Sequence, residues 1–114
     1  MSQISCHVLD TAHGCPASGI PIQLYQQSNE AQWQCLGQSK TDADGRVTDL
    51  LVAEQSLPAG IYRVHFVIRD YLQSTGQAVF YPYVDVVFTI SNDGQHYHIP
   101  LLLSPYGYST YRGS

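Results

Sequence analysis

The chain has few positively charged side chains and no long apolar run. Lys and Arg together number 5 among 114 residues, against 9 Asp and Glu, which gives a net charge of -4 at pH 7. Proteins that bind nucleic acid carry a basic patch, so this composition argues against a nucleic-acid partner. A membrane-spanning helix needs about 20 consecutive apolar residues, and no stretch approaches that length, so no membrane contact is expected.

Cysteine patterns and nucleophile motifs are equally sparse. The three cysteines, Cys6, Cys15 and Cys35, form no C-x-x-C pair, which is typical of reduced thiols in a cytosolic protein. The first residues, MSQISCHVLD, lack the features of a secretory signal, which predicts a cytoplasmic location; the periplasm stays open if a signal was removed. G-x-S-x-G, P-loop and G-x-G-x-x-G motifs are absent, so an enzyme with this sequence would use water, activated by a histidine, and no cofactor.

Strand-forming residues and turn signals dominate what is present. Tyr alone occurs nine times, and aromatic and β-branched residues favour strands. TDADG at 41–45 predicts a tight turn, NDG at 92–94 predicts a hairpin turn, and RDYLQSTG at 69–76 predicts a short helix that Gly76 stops. The predicted strands are 4–9, 20–26, 32–37, 46–51, 61–68, 84–90, 96–103 and 106–111. The pattern predicts one all-β domain over residues 1–114, an antiparallel sandwich or barrel.

Histidines on strands are the first candidates for chemistry. His96 and His98 form an H-x-H pair, so both point to one face of their strand, while the residues between and after them form an apolar face. The same alternation turns His7 away from the core. Three interpretations stay open: a solvated surface, a metal pair that lacks a third ligand, or general acid–base chemistry near neutral pH.

Arg46 is the positively charged residue whose backbone position the sequence fixes most clearly. It directly follows the predicted tight turn at 41–45, which would fix its backbone. A guanidinium held there can grip a planar anion or a carbonyl through its fork of donors. The alternative is an ordinary solvated turn.

Three blocks of the sequence carry a family resemblance. HVLDTAHGCPASG at 7–19, TDADGRV at 41–47 and HYHIPLLLSPYGYSTYRGS at 96–114 resemble the 5-hydroxyisourate hydrolases, which are transthyretin-like enzymes of urate breakdown. The LLSPY-x-YST pattern is shared with transthyretin, whereas Y-R-G-S at 111–114 marks the hydrolase branch. The resemblance covers essentially the whole chain.

The resemblance implies a fold, an assembly and a reaction. The fold is a transthyretin-like sandwich of two four-stranded antiparallel sheets with one short helix near 69–76. The assembly is a homotetramer whose sites lie at the dimer–dimer interface, on outer sheet faces that alternation alone would assign to solvent. The reaction is hydrolysis of 5-hydroxyisourate to 2-oxo-4-hydroxy-4-carboxy-5-ureidoimidazoline, which opens a ring at a cyclic amide bond in purine degradation.

The same resemblance implies roles for particular residues, and no metal is predicted, because no third ligand is placed obviously near the H-x-H pair. Arg46 would donate to the developing oxyanion with His7 orienting the ring, and His98 would take the proton from water. Ser114 would orient His98 or the water. Tyr111 would wall the substrate, while Arg112 would hold its segment or add positive potential. The implied catalytic residues are His7, Arg46, His98 and Ser114. The implied substrate-binding residues are His7, Arg46, Tyr111 and Arg112.

Two rival functions share these features. A non-catalytic transthyretin-like carrier of a small ligand would have the same fold, so the fold cannot separate it from a hydrolase. A metal-binding module would be built on His96 and His98.

Overall fold

Alternating apolar and polar residues build the nine strands and one short helix found in the described part of the chain. The computed structural model describes residues 2–52 and 55–114; Met1, Ala53 and Glu54, which belong to the predicted 1–114 domain, lie outside the described residues. The elements are β1 Ile4–Asp10, β2 Cys15–Pro16, β3 Pro21–Gln27, β4 Trp33–Lys40, β5 Arg46–Val47, β6 Gly60–Val67, α1 Arg69–Ser74, β7 Tyr83–Ile90, β8 Tyr97–Ser104 and β9 Gly107–Thr110.

The strands form two sheets, which confirms the predicted sandwich with one short helix. One sheet has the order β4-β3-β6-β7 and is antiparallel throughout. The other has the order β2-β1-β8-β9, with β5 also paired to β1. The strand count and direction differ from the predicted four plus four. Two strands of two residues each make the second sheet five-stranded, and β1 pairs with β8 in parallel.

The core lies between the sheets and consists of alternate residues from each strand. On β1 the buried set includes Ile4, Cys6 and Val8, and on β8 it includes Tyr97 and Ile99. Burial of aliphatic and aromatic side chains of this kind contributes roughly 1.5–3 kcal/mol each to folding. The opposite faces of β1 and β8 are therefore free to carry polar groups, and this is where the histidines lie.

The predicted hairpin at 92–94 is wrong. β7 belongs to one sheet and β8 to the other, so the segment between them crosses from sheet to sheet. Asp93 accepts hydrogen bonds from the Gln95 N–H and the Tyr97 hydroxyl, which stabilises this crossing. An NDG sequence supplies a turn, but the partner of the following strand is decided by which core face it can cover.

The turn at 41–45 is confirmed, and it needs a glycine. The Gly45 N–H donates to the Asp42 carbonyl, and Gly45 has φ +74°. A Cβ there would lie 2.5 Å from the Val8 carbonyl oxygen, which clashes. The strand after the turn is shorter than the predicted 46–51, because only Arg46 and Val47 pair with β1.

The short helix connects to β1 through a buried carboxylate. The Tyr71 hydroxyl on α1 donates to Asp10 over 2.7 Å, and His13 and Gln77 also hydrogen-bond to that carboxylate. Gly76, at φ +72°, follows the helix as predicted. No helix within residues 2–52 and 55–114 is long and apolar enough to cross a membrane.

Candidate active site

Parallel pairing of β1 with β8 brings distant polar residues together. In this register Ser5 of β1 lies directly opposite His98 of β8. On the other side of β1, His7 lies opposite Arg46 of β5. Three predicted residues from separate parts of the sequence therefore share one outer sheet face.

A depression of about 220 Å³ opens on this face. It holds the predicted residues Arg46, His98 and Ser114 together. The full lining is Ser5, Cys6, Arg46, Thr48, His96, His98 and Ser114. The lining contains no carboxylate side chain, so its charged and titratable members favour a ligand rich in carbonyl oxygens or one that develops negative charge.

The His98 ring is held on two sides. Its Nδ1 lies 2.8 Å from the Ser5 hydroxyl oxygen. The Gly113 N–H donates to the His98 backbone carbonyl over 2.9 Å, in an antiparallel bridge. A Cβ on Gly113 would lie well inside van der Waals contact of His98 Cδ2. Glycine at this position therefore lets the 111–114 segment lie directly against the imidazole.

His7 and Arg46 are positioned by the 41–45 turn. His7 Nε2 lies 3.0 Å from the Asp44 carbonyl oxygen, which can only accept, so Nε2 carries the proton in the neutral ring. The Asp42 carboxylate accepts from the Arg46 backbone N–H at 3.0 Å. The His7 and His98 ring centroids are 6.4 Å apart, so His7 lies beside the depression without being among its lining residues.

Burial and positive neighbours favour the neutral form of His98. Partial burial lowers the pKa of His98 below its ordinary value, and repulsion from Arg46, His7 and His96 lowers it further. A neutral imidazole is the form that accepts a proton. The half-buried ring is therefore suited to act as a base at neutral pH.

Cys6 lines the depression without being a nucleophile. Burial raises the pKa of the Cys6 thiol far above its ordinary value. The thiolate is the reactive form of cysteine, so this thiol is inert at neutral pH.

The family of the chain follows from comparison with known proteins. A family model described as the HIUase/Transthyretin family matches residues 4–113. The chain belongs to this family. The 5-hydroxyisourate hydrolase of Mus musculus is 47% identical over 99% of this chain and 96% of its own. The 5-hydroxyisourate hydrolase of Caulobacter vibrioides is 48% identical over the whole of both chains.

Solved structures place the fold in the same family. Sea bream transthyretin, crystallised with thyroxine, matches with a TM-score of 0.90 and 33% identity, covering 97% of this chain and 94% of that one. Membership of the HIUase/Transthyretin family thus includes both named hydrolases and a protein that binds thyroxine. The residues in the depression, rather than the sandwich, must distinguish these two activities.

Tyr111 and Arg112, which were predicted to bind the substrate, are not among the lining residues of the depression. Tyr111 and Arg112 line a separate groove of about 260 Å³ between β7 and β8, with Phe88 and Tyr97. The Arg112 guanidinium stacks over the Tyr97 ring at 4.3 Å and donates to the Gln95 side-chain oxygen. Arg112 thus holds its own segment through the Tyr97 ring and the Gln95 amide.

Sequence reasoning missed two members of the depression, Ser5 and Thr48, and it assigned no catalytic role to His96. Ser5 shares the outward parity of His7, which was the available signal. What the sequence did not provide was the β1–β8 register, and without it a lone serine on a strand carries no information. Among the described residues no cluster of three or more His, Cys, Asp or Glu side chains is arranged to hold a metal, so the module built on His96 and His98 gains no support.

The pKa of His98 provides a test of this electrostatic arrangement. We expect Arg46→Gln to raise the pKa of His98, because protonation of the ring no longer opposes a neighbouring positive charge. The pKa should remain below the ordinary 6.5, because burial persists. NMR titration of the His98 Cε1–H resonance measures it. Arg69→Gln, on the exposed helix α1, serves as control; an unchanged His98 pKa in Arg46→Gln would contradict the assignment.

Proposed function

We propose that this protein hydrolyses 5-hydroxyisourate to 2-oxo-4-hydroxy-4-carboxy-5-ureidoimidazoline, with water as nucleophile. The observation that carries the proposal is one depression lined by both a half-buried imidazole, His98, and a guanidinium, Arg46. Named 5-hydroxyisourate hydrolases that are 47% and 48% identical over nearly the full chain support this substrate.

His98 acts as the base in this reaction. Water attacks a ring carbonyl, a C–O bond forms, and His98 Nε2 takes the proton that the water loses. Collapse of the tetrahedral intermediate then breaks the ring C–N bond, and His98 returns the proton to the leaving nitrogen. Within the parts of the chain that the structure describes, Nε2 has no hydrogen-bond partner, so it is available to the water. Ser114 lines the same depression, where its hydroxyl can orient that water.

Arg46 stabilises the negative charge that develops on the carbonyl oxygen. Its donors belong to the same lining as His98, and a charge-assisted donor at an oxyanion is worth on the order of 3 kcal/mol of barrier. His7 lies directly opposite Arg46 in the β1–β5 ladder, on the same outer face. Substrate binding by Tyr111 and Arg112 stays a prediction.

A small-ligand carrier is the weaker alternative. Identity to the thyroxine-bound sea bream transthyretin is 33%, lower than to the named hydrolases. The depression also suits a polar ring better than an apolar ligand, because its lining includes Arg46, His96 and His98. A cytoplasmic location remains a prediction from the sequence.

Rate measurement on a His98 variant tests the hydrolase proposal. We expect His98→Gln to lose roughly 10²–10⁴-fold in kcat, because a neutral amide cannot take the proton from water. The assay follows the ultraviolet absorbance of freshly generated 5-hydroxyisourate. His65→Gln, on the outer face of the other sheet where His65 contacts Asp85, is the matched control. Decay by the wild type no faster than in buffer alone would refute the activity.

Glycine substitutions test whether the 111–114 segment must touch His98. We expect Gly113→Ala to lower kcat at least about tenfold, because the added Cβ displaces the imidazole. Gly107→Ala is the matched control: the nearest atom to its new Cβ is the Ser104 hydroxyl oxygen at an ordinary 3.7 Å. Equal kcat in the two variants would show that close approach at Gly113 is not required.

We further propose that the chain forms a homotetramer with its sites at the dimer–dimer interface. β7 and β9 are edge strands of their sheets, and open edges favour pairing with another copy. Val87 on β7 and Tyr111 after β9 are 58% and 60% exposed, so apolar surface is available beside both edges. Sedimentation velocity should give a mass of about four chains. A monomer at micromolar concentration would rule out a site shared between subunits.

A further inference from the structure

The Ser5 hydroxyl lies between two imidazoles. Its oxygen is 2.8 Å from His98 Nδ1 and 3.0 Å from His96 Nε2. Ser5 is itself 4% exposed, so water does not readily replace it. We infer that Ser5 is a positioning residue that holds His98 in its Nδ1–H tautomer, with His96 orienting the Ser5 hydroxyl. This inference rests on the proposed base role of His98.

Counting protons leaves three possible arrangements of these two hydrogen bonds. A serine hydroxyl has one hydrogen and two acceptor lone pairs, so Ser5 either donates to one ring and accepts from the other, or accepts from both. In the first arrangement Ser5 donates to His98 Nδ1, and the His98 proton then resides on Nε2. In the second, His98 Nδ1–H donates to Ser5, and Ser5 donates to His96 Nε2. In the third, both rings donate to Ser5, whose own hydrogen then has no acceptor among the described residues.

The second and third arrangements give a base, and only the second also gives the Ser5 hydrogen an acceptor. Nδ1 of His98 is occupied by Ser5, so water can deliver a proton only to Nε2, which must carry a lone pair. A neutral imidazole in water prefers its proton on Nε2, which is the unproductive form. The tautomer of a histidine is set by the hydrogen bond that its other nitrogen makes. Ser5 therefore supplies an acceptor that the isolated side chain lacks.

His96 determines which way the Ser5 hydroxyl points. With an unprotonated Nε2 at 3.0 Å, His96 draws the hydroxyl hydrogen and leaves an oxygen lone pair facing His98. The His96 and His98 ring centroids are 6.4 Å apart with an interplanar angle of 19°, and the Ser5 hydroxyl bridges the two rings. His96 thus acts on the water through three hydrogen bonds, from His96 to Ser5, from Ser5 to His98 and from His98 to the water.

Ring-nitrogen NMR tests the tautomer without any substrate. We expect neutral His98 in ¹⁵N-labelled wild type to show an N–H signal on Nδ1, and Ser5→Ala to shift the population toward Nε2–H. Ser39→Ala also loses one side-chain hydrogen bond, the one that Ser39 donates to Asp49. This control should leave the His98 tautomer unchanged. An Nε2–H tautomer in the wild type would overturn the inference, whether or not the protein hydrolyses 5-hydroxyisourate.

Steady-state kinetics of Ser5 and His96 variants test whether these residues affect the hydrolysis rate. Ser5→Ala should lower kcat roughly 10- to 100-fold with KM within about twofold, by analogy with the hydrogen-bond partners that orient metal-binding histidines, whose loss has effects of about this size. His96→Gln retains an acceptor oxygen and should keep most of kcat, whereas His96→Leu should lose about as much as Ser5→Ala. An unchanged kcat in Ser5→Ala at a wild-type melting temperature would refute the role of Ser5. Equal kcat in the two His96 variants would refute that of His96.

Discussion

Pairing of β1 with β8 is the constraint on which the site depends. The two strands run parallel, and their register sets Ser5 opposite His98 while the intervening residues, such as Cys6 and Ile99, fill the core. A shift of one residue would exchange the two faces, burying the imidazole and exposing the apolar set. The hydrophobic core and the position of His98 are thus fixed by the same alternation, so the free energy of packing also holds the base in place.

Two further segments complete the site, and each relies on a glycine. The 41–45 turn brings Arg46 beside His7 because Gly45 can pass close to the Val8 carbonyl. The 111–114 segment reaches the His98 ring because Gly113 has no side chain. The result is a depression lined by Arg46 and two imidazoles with no Asp or Glu side chain, in a chain of net charge -4, so positively charged and titratable side chains lie where negative charge would develop.

Much of this arrangement follows from local patterns in the sequence. Alternation predicted that His7 and His98 leave the core, and the TDADGR turn predicted a fixed backbone at Arg46. Local patterns contain no information about which strands pair or in which direction, so they missed the parallel β1–β8 ladder and the sheet-to-sheet crossing at 92–94. They missed Ser5 for the same reason, because its function depends on a residue 93 positions away.

The distance in sequence between Ser5 and His98 determines when the site can form during synthesis of the chain. β1 can pair with β2 and β5 while much of the chain is still unmade, but His98 leaves the ribosome 93 residues after Ser5. Contacts between distant positions form late and slowly, because a large loop must close before they stabilise anything. A nascent chain can therefore hold most of one sheet and still lack a base. Catalytic competence appears only with the final strands, so it reports completed folding rather than folding in progress.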